Sequence, residues 1–142
     1  MGNICRSPAA EGVFKKLLED AGRSQDFYVD SAGTIGYHAG GRADSRMRAA
    51  ASQRGYSLDS IARRIELEDF EIFNLIVTMD NENFLDVSRM DPGNGAGVVR
   101  MCDYCLQHEV IEVPDPYYGG ADGFEHVLDI LEDACSGLLR QL

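Results

Sequence analysis

The spacing of apolar side chains divides this chain into alternating helices and strands. Residues 7–22 carry apolar side chains at three- and four-residue intervals, which predicts a helix capped by Ser7 and ended by Gly22. Further helices are predicted from Asp44 or Ser45 to Gly55, over residues 81–90 and, most clearly, over residues 122–142. One side of the last helix is apolar: Phe124, Val127, Leu128, Leu131, Cys135, Leu138 and Leu139.

Three short segments between these helices read as strands. They are "FYVDSAG" at residues 27–33, "NLIVTMD" at residues 74–80 and "VVRMCDY" at residues 98–104. The second is a continuous apolar run, which is typical of a strand covered on both faces. Strands that alternate with helices predict an α/β fold, a parallel sheet with helices on both faces, in one domain of residues 1–142. Ligands bind such sheets outside the carboxyl ends of the strands.

Composition and charge narrow the class of protein. The 142 residues are 44% hydrophobic and 26% charged, as in an ordinary soluble domain, and the net charge is -11. This charge argues against nucleic acid or an anionic membrane as a partner. No apolar run approaches the ~20 residues of a membrane span, and the amino terminus lacks the apolar stretch of a signal peptide. A cytoplasmic location is therefore expected, with the four cysteines as reduced thiols.

The opening stretch "MGNICRS" has the chemistry of an anion site. Gly2 allows a tight turn, Arg6 offers a planar fork for two phosphate oxygens, and a helix begins beside them. Backbone N–H groups and the dipole at a helix start favour negative charge. An N-capped helix behind a frayed terminus explains this heptapeptide equally well.

A second stretch, "EVPDPYYGG", sets Asp115 between Pro114 and Pro116 and follows it with Tyr117 and Tyr118. Two prolines stiffen the backbone around the carboxyl group, which suits a general acid that must be presented to a leaving group. The tyrosines offer flat walls to an aromatic group. Taken alone, the segment is better explained as an ordinary turn with surface aromatics.

Together the two stretches resemble the low-molecular-weight protein tyrosine phosphatases. That family carries a Cys, five residues, an Arg and a Ser or Thr within a pattern like C-L-G-N-I-C-R-S-P-x-A-E, and this chain reads "MGNICRSPAAE". The match continues through "DSAGT", "HAGGRADSRM", "RGY", "ARRI", "DF", "VTMDNEN" and "VPDPYYGG". The resemblance implies an open four-stranded parallel sheet flanked by helices. It also implies hydrolysis of phosphotyrosine through a cysteinyl-phosphate, with no metal or other cofactor.

The resemblance assigns roles residue by residue. Arg6 is the phosphate clamp and Asp115 the acid and base. The phosphate-binding loop comprises Gly2, Asn3, Ile4, Cys5, Arg6 and Ser7. The substrate pocket comprises Tyr37, Tyr117 and Tyr118. A buried structural tyrosine is the alternative for Tyr37, and Asp80 either braces the loop or simply caps a helix.

One feature departs from the family pattern. Aligned on Arg6, the family's nucleophilic cysteine would stand one residue before Met1, and the first strand would precede it. Cys5 adjoins Arg6 and is expected not to replace that cysteine. The chain as given is therefore expected to be inactive. The missing central strand is expected to destabilise the fold, or to be replaced by another segment or by a second copy through self-association at the gap in the sheet.

Two other functions remain open at this point. One is a non-catalytic phosphate or phosphopeptide binder, and the other is an arsenate reductase on the same fold, which the DPYY segment argues against. For the phosphatase, the expected ligands are phosphotyrosine proteins, small aryl phosphates, and phosphate or sulfate. Cys102 and Cys105 have zinc-like spacing but read as two ordinary thiols, and the acids 129–133 of the last helix read as its solvated face.

Overall fold

The computed structural model describes residues 5–93, 95–116 and 120–142, and within these ranges helices and strands alternate along the chain. The helices are α1 (Arg6–Asp20), α2 (Ser45–Gln53), α3 (Asp69–Ile72), α4 (Asn81–Met90) and α5 (Ala121–Gln141), and the strands are β1 (Leu75–Thr78) and β2 (Gly97–Arg100). Short 3-10 helices cover Ser24–Asp26 and Met101–Tyr104. The four predicted helices are confirmed. Gly2, Asn3, Ile4, Tyr117 and Tyr118 lie outside the described residues.

Glycines end the first two helices, as predicted. Gly22 and Gly55 have positive φ values of 69° and 87°, which a glycine adopts without a Cβ clash. After Gly22, the N–H of Arg23 donates to the carbonyl of Leu18 at 2.8 Å, which satisfies a carbonyl left over at the end of α1. After Gly55, the N–H of Tyr56 likewise donates to the carbonyl of Ala51 at 3.0 Å.

The predicted cap of α1 is wrong by two residues. The helix begins at Arg6, so Ser7 is its second residue, and Cys5 occupies the capping position without a side-chain cap. The helix starts two residues earlier than predicted because the carbonyl of Cys5 already accepts the N–H of Ala9 at 3.1 Å. The shift matters because it places Arg6 on the first turn of the helix.

The two strands pair in parallel, and helices cover both faces of the ladder. Leu75 lies beside Gly97, and Thr78 lies beside Arg100. Alternate side chains point to opposite faces. Leu75 and Val77 join the core formed by α1, α2 and α5, while Ile76 packs on the other face against a small cluster. That cluster consists of Ile65, Phe70 and Val87.

The predicted strand at residues 27–33 forms no ladder in the described part of the chain, where only Gly33 makes an isolated bridge to Arg64. The segment still alternates like a strand, because Phe27 and Val29 pack on the core while Tyr28 is exposed. An open slot of about 360 Å³ separates it from β1, so none of the described residues pairs with its backbone across the slot. The expected four strands are therefore not confirmed.

The slot has an apolar floor, and two buried polar atoms on its walls make no hydrogen bond to the described residues. Its sides are residues 27–30 and 32–34 on one strand-like segment and residues 74–79 on the other, and α1 contributes Ala10 and Phe14. Among the described residues, the buried Thr34 Oγ1 and Asn83 Nδ2 have no hydrogen-bond partner, and both residues line the slot. Buried polar atoms are normally paired, so the slot is incompletely filled by these residues.

Helix α5 is the longest helix and carries the apolar side that its sequence predicts. None of the helices in the described ranges is both long and apolar enough to cross a membrane. The expectation of a solvated acidic face is wrong for Asp133, whose side chain is only 7% exposed. Its carboxylate accepts the backbone N–H groups of residues 106–108 at 2.8–3.0 Å. Asp129 and Glu132 stay at the surface and pair with Arg54 at 2.9 and 2.8 Å.

We expect a strand supplied at the amino end to fill the slot and stabilise the fold. An extended polypeptide, residues 1–142 preceded by a short apolar strand ending in Val-Cys, would pair with both residues 27–33 and β1. Each apolar side chain that it buries contributes ~1.5–3 kcal/mol, so the free energy of unfolding should rise by several kcal/mol. Thermal unfolding measures the rise against residues 1–142. A Gly/Ser extension of equal length is the control, and equal stabilisation by both extensions would contradict the prediction.

Asp133 is expected to hold the 106–108 loop in a pH-dependent way. Burial alone would raise the pKa of Asp133, but His108 and the backbone N–H groups outweigh it and hold the pKa well below the usual range. A depressed carboxyl pKa stabilises the fold above the unfolded-state pKa, and this contribution is lost as the pH falls towards the folded-state pKa.

Asp133→Asn should therefore lower the free energy of unfolding by about 1–3 kcal/mol at pH 7, and by less at pH 3. Asp129→Asn, which changes an exposed acid of the same helix, should change it little. Thermal unfolding across this pH range is the measurement. A deficit for Asp133→Asn that does not shrink in acid would be contrary to the assignment.

Candidate active site

Three parts of the chain meet at the carboxyl end of β1: the start of α1, the start of α4 and the loop of residues 113–116. Arg6 belongs to the first and contacts the other two. Arg6 is on the first turn of α1 and is only 5% exposed. Its Nη1 donates to Asp80 Oδ2 at 2.7 Å and to the carbonyl oxygen of Val113 at 2.8 Å. Its Nη2 lies 4.0 Å from Asp115 Oδ2. The structure thus brings together the two residues that the sequence proposed as catalytic.

Asp80 makes contacts of both kinds that the sequence left open, to the loop residue Arg6 and to the start of a helix. One carboxylate oxygen accepts the N–H of Asn83 at 2.7 Å and caps α4, while the other accepts Arg6. Burial acts to raise the pKa of Asp80, but the N–H of Asn83 and the Arg6 guanidinium outweigh burial and keep the pKa below its usual value. The residue is therefore a carboxylate at neutral pH and holds the Arg6 fork in place.

The loop that carries Asp115 is anchored on both sides of its backbone. The N–H of Val113 donates to the carbonyl of Met79 at 2.8 Å, and the Val113 carbonyl accepts Arg6. Pro116 is buried. Between these anchors the Asp115 side chain is 43% exposed, so its carboxyl group can reach a bound molecule. This geometry supports the predicted presentation of an acid on a stiff loop.

Cys5 is a buried thiol, 5% exposed, at the start of α1. Burial, together with the charges of Asp44 and Asp115, raises its pKa to about 12. A thiol with such a pKa is almost wholly protonated at pH 7, and only the thiolate is a good nucleophile. The environment of Cys5 agrees with the expectation that it does not replace the family's nucleophile.

The amino end of α1 gives this edge of the sheet a positive character. The first N–H groups of a helix have no partner within the helix, and its dipole favours anions. Ser7 is half-buried on this turn and lines the slot. The turn can therefore hold an oxyanion with help from Arg6, although Gly2, Asn3 and Ile4 of the predicted loop are not among the described residues.

The aromatic residues of the predicted pocket are only partly placed. Tyr37 is 84% exposed, so the alternative of a buried structural tyrosine is wrong. Its ring packs edge-on against His38 with centroids 4.9 Å apart. An exposed ring of this kind is available to a substrate. Tyr117 and Tyr118 lie outside the described residues, and their pocket role stays a prediction.

Two groups that act at the site were not predicted from the sequence. The Val113 carbonyl is a backbone group, and no residue type marks its use by Arg6. Asp44 was expected only as a helix start. It does cap α2, but its charge also acts on Cys5. In the described ranges, no three or more His, Cys, Asp or Glu side chains form a group that could hold a metal ion.

Comparison with known proteins identifies the family. The family model described as low molecular weight phosphotyrosine protein phosphatase matches residues 1–142. The low molecular weight protein-tyrosine-phosphatase of Streptomyces coelicolor is 43% identical, over 97% of this chain and 87% of its own length. The human low molecular weight phosphotyrosine protein phosphatase is 36% identical, over 99% and 90%.

Solved structures agree with these relatives. The structure of a protein tyrosine phosphatase from Entamoeba histolytica, with Hepes in its active site, is 46% identical to this chain. It superimposes with a TM-score of 0.97, over 99% of this chain and 91% of its own. With a family match over all its residues and relatives of this similarity, the chain belongs to the low molecular weight phosphotyrosine protein phosphatases.

Proposed function

We propose that this protein hydrolyses phosphotyrosine at the edge where α1, β1 and the 113–116 loop meet. The observation that carries the proposal is the buried Arg6 guanidinium, fixed by Asp80 and Val113 with Asp115 4.0 Å from its second nitrogen. A phosphoryl group held at the amino end of α1 would lie between this cation and this acid. Both would act on the same group as negative charge develops there.

Arg6 is suited to the clamp because its orientation is fixed before substrate arrives. Nη1 is held by Asp80 and Val113, so the Nη2 side of the fork faces the region beside Asp115. A guanidinium held in this way needs little reorganisation to bind phosphate oxygens, and its planar fork matches two of them.

Asp115 is suited to proton transfer at the leaving group. Its carboxyl group is partly exposed on an anchored loop, where a tyrosine oxygen can approach it. In the protonated form it gives a proton to that oxygen, and as a carboxylate it then takes one from the water that hydrolyses the cysteinyl-phosphate. Positioned acid–base groups of this kind typically contribute 10²–10⁴-fold in rate.

The four cysteines of residues 1–142 are poor candidates for the nucleophile. Burial raises the pKa of Cys5, Cys102 and Cys135 to about 12, and it raises the pKa of Cys105 as well. The family resemblance would place the nucleophile one residue before Met1, so we propose that a cysteine supplied at that position carries out the covalent step. Its thiolate would attack phosphorus and release the tyrosine.

The expected ligands and location belong to this proposal. Phosphotyrosine proteins or small aryl phosphates are the substrates, and phosphate or sulfate occupies the loop around Arg6 as a site ligand. The cytoplasm is the proposed location, and the slot is a place where two copies could pair by their open edges. The non-catalytic binder and the arsenate reductase are not favoured, because the relatives described above are phosphatases by name.

Replacing the acid should slow turnover selectively. In the extended polypeptide that ends in Val-Cys before Met1, Asp115→Asn should lower kcat about 10²–10⁴-fold for an aryl phosphate with a poor leaving group. The loss should be much smaller for a good leaving group, which needs no proton. Steady-state kinetics with the two substrates give the comparison. Glu109→Gln removes another carboxylate of the same loop region and should leave both rates unchanged.

The covalent step has its own controls. Residues 1–142 alone, and an extension that ends in Val-Ser, should show no turnover, whereas Cys5→Ser in the extended polypeptide should remain active. Turnover by residues 1–142 that Cys5→Ser abolishes would show that the nucleophile is assigned wrongly. An equal loss for both leaving groups in Asp115→Asn would remove Asp115 as the acid.

Phosphate should bind weakly beside Arg6 even in residues 1–142, because the amino end of α1 and the guanidinium are both present. Titration with millimolar phosphate should shift the NMR signals of the Ser7 and Ala9 amides. Arg6→Lys should weaken this binding about tenfold or more, since hydrogen bonds to a charged group are each worth about 1.5–3 kcal/mol. Arg89→Lys, an exposed cation on α4, should bind as before. No response to phosphate would refute the anion site.

A further inference from the structure

The 3-10 helix that follows β2 places two cysteines side by side. Cys102 and Cys105 are separated by one 3-10 turn, and the N–H of Cys105 donates to the carbonyl of Cys102 at 3.2 Å. Side chains three residues apart lie over one another in such a helix. Each thiol also influences the pKa of the other, which is consistent with neighbouring sulfur atoms. The Cα atoms of a turn closed in this way are less than about 7 Å apart, which suits a disulfide.

Helix α5 fixes this turn from both sides. At Gly137 a Cβ would clash with the Tyr104 carbonyl oxygen, so the glycine lets the 3-10 helix rest directly on α5. One turn earlier on α5, Asp133 holds the backbone of residues 106–108. The cysteines are therefore held in one arrangement, and a bond between them requires little change in the backbone.

The two thiols differ in access. Cys105 is half-buried, whereas Cys102 is buried at 7% exposure. Cys135, the third thiol of this region, is fully buried and donates to the carbonyl of Ala10 at 3.9 Å. A small oxidant in solution therefore reacts with Cys105 first. Cys102, three residues earlier in the sequence, is the thiol that the 3-10 turn places beside Cys105.

We propose that Cys102 and Cys105 form a thiol–disulfide redox site that reacts with low-molecular-weight disulfides. The Cys105 thiolate attacks one sulfur of the oxidant and expels the first thiolate, giving a mixed disulfide. Cys102 loses its proton to that thiolate or to water and attacks the Cys105 sulfur, expelling the second thiolate. Two electrons pass from the cysteine pair to the oxidant, which leaves as two thiols.

The surroundings of the pair set the speed of this reaction. Burial and the charge of Asp133 raise the pKa of Cys105, and burial raises the pKa of Cys102 to about 12. Little thiolate is present at pH 7, so oxidation is slow. A disulfide is easily reduced when its thiolate form is stabilised. The surroundings of Cys102 and Cys105 do not stabilise the thiolates, so the disulfide should persist once it forms.

The position of the pair connects it to the loop that carries Asp115. Cys105 ends the 3-10 helix, and the chain runs from there through residues 106–112 to Val113, which is anchored to Met79 and Arg6. A disulfide across the turn fixes the beginning of this loop without touching Arg6 or Asp115. The redox site therefore acts on the base of the acid-bearing loop and does not depend on the proposed catalytic roles.

The test is oxidation of the folded protein by glutathione disulfide, followed by acid quenching and cleavage after arginine and glutamate. Cys102 and Cys105 then share the peptide 101–109, and Cys135 lies in the peptide 133–140. We expect the peptide 101–109 to become lighter by two hydrogen atoms. Its rate of formation should still be rising at pH 9, because the raised pKa of Cys105 means that the thiolate fraction keeps growing between pH 7 and pH 9.

Three comparisons decide the outcome. Cys135→Ser should form the same linked peptide at the same rate, whereas Cys102→Ser should stop at a mixed disulfide on Cys105. In denaturant the pH dependence should flatten above about pH 8.5, as for ordinary thiols. A link to Cys135, a stable mixed disulfide in the unsubstituted protein, or no oxidation of the folded chain would each overturn the proposal.

Discussion

The buried guanidinium of Arg6 is the interaction on which the arrangement of the site depends. Through Asp80 and Val113 it joins the first turn of α1, the start of α4 and the loop before Asp115, three segments far apart in the sequence. A charge at this depth is tolerated because a carboxylate and a carbonyl accept its protons. The same contacts fix the direction in which Arg6 Nη2 points. Arg6 therefore both stabilises this end of the sheet and would bind a phosphate.

The helices could be predicted from the sequence because their signals are local. Apolar spacing, the glycines after α1 and α2, and the acid before α2 each act within a few residues. The sheet could be predicted only in part, because a ladder needs a partner. Residues 27–33 have the alternation of a strand, yet their state depends on what lies between them and β1, which no local pattern specifies.

The candidate site was predictable where side chains carry the chemistry. Arg6 and Asp115 were found through their motifs, and the structure places them together. The Val113 carbonyl could not be found, because a backbone acceptor leaves no mark in the sequence. Asp133 was misread for a related reason. Its partners are backbone N–H groups of residues 106–108, so an acid on the polar side of a helix looked solvated although its side chain is only 7% exposed.

The slot beside β1 also bears on how this fold assembles. A segment that pairs with both residues 27–33 and β1 must wait until parts of the chain about fifty residues apart have come together, which is a non-local step. Until that step, the inner edge of β1 presents unpaired N–H and C=O groups above an apolar floor. Open edges of this kind are templates for pairing between molecules. A segment that closes the slot would therefore also cover an edge at which two chains could pair during folding.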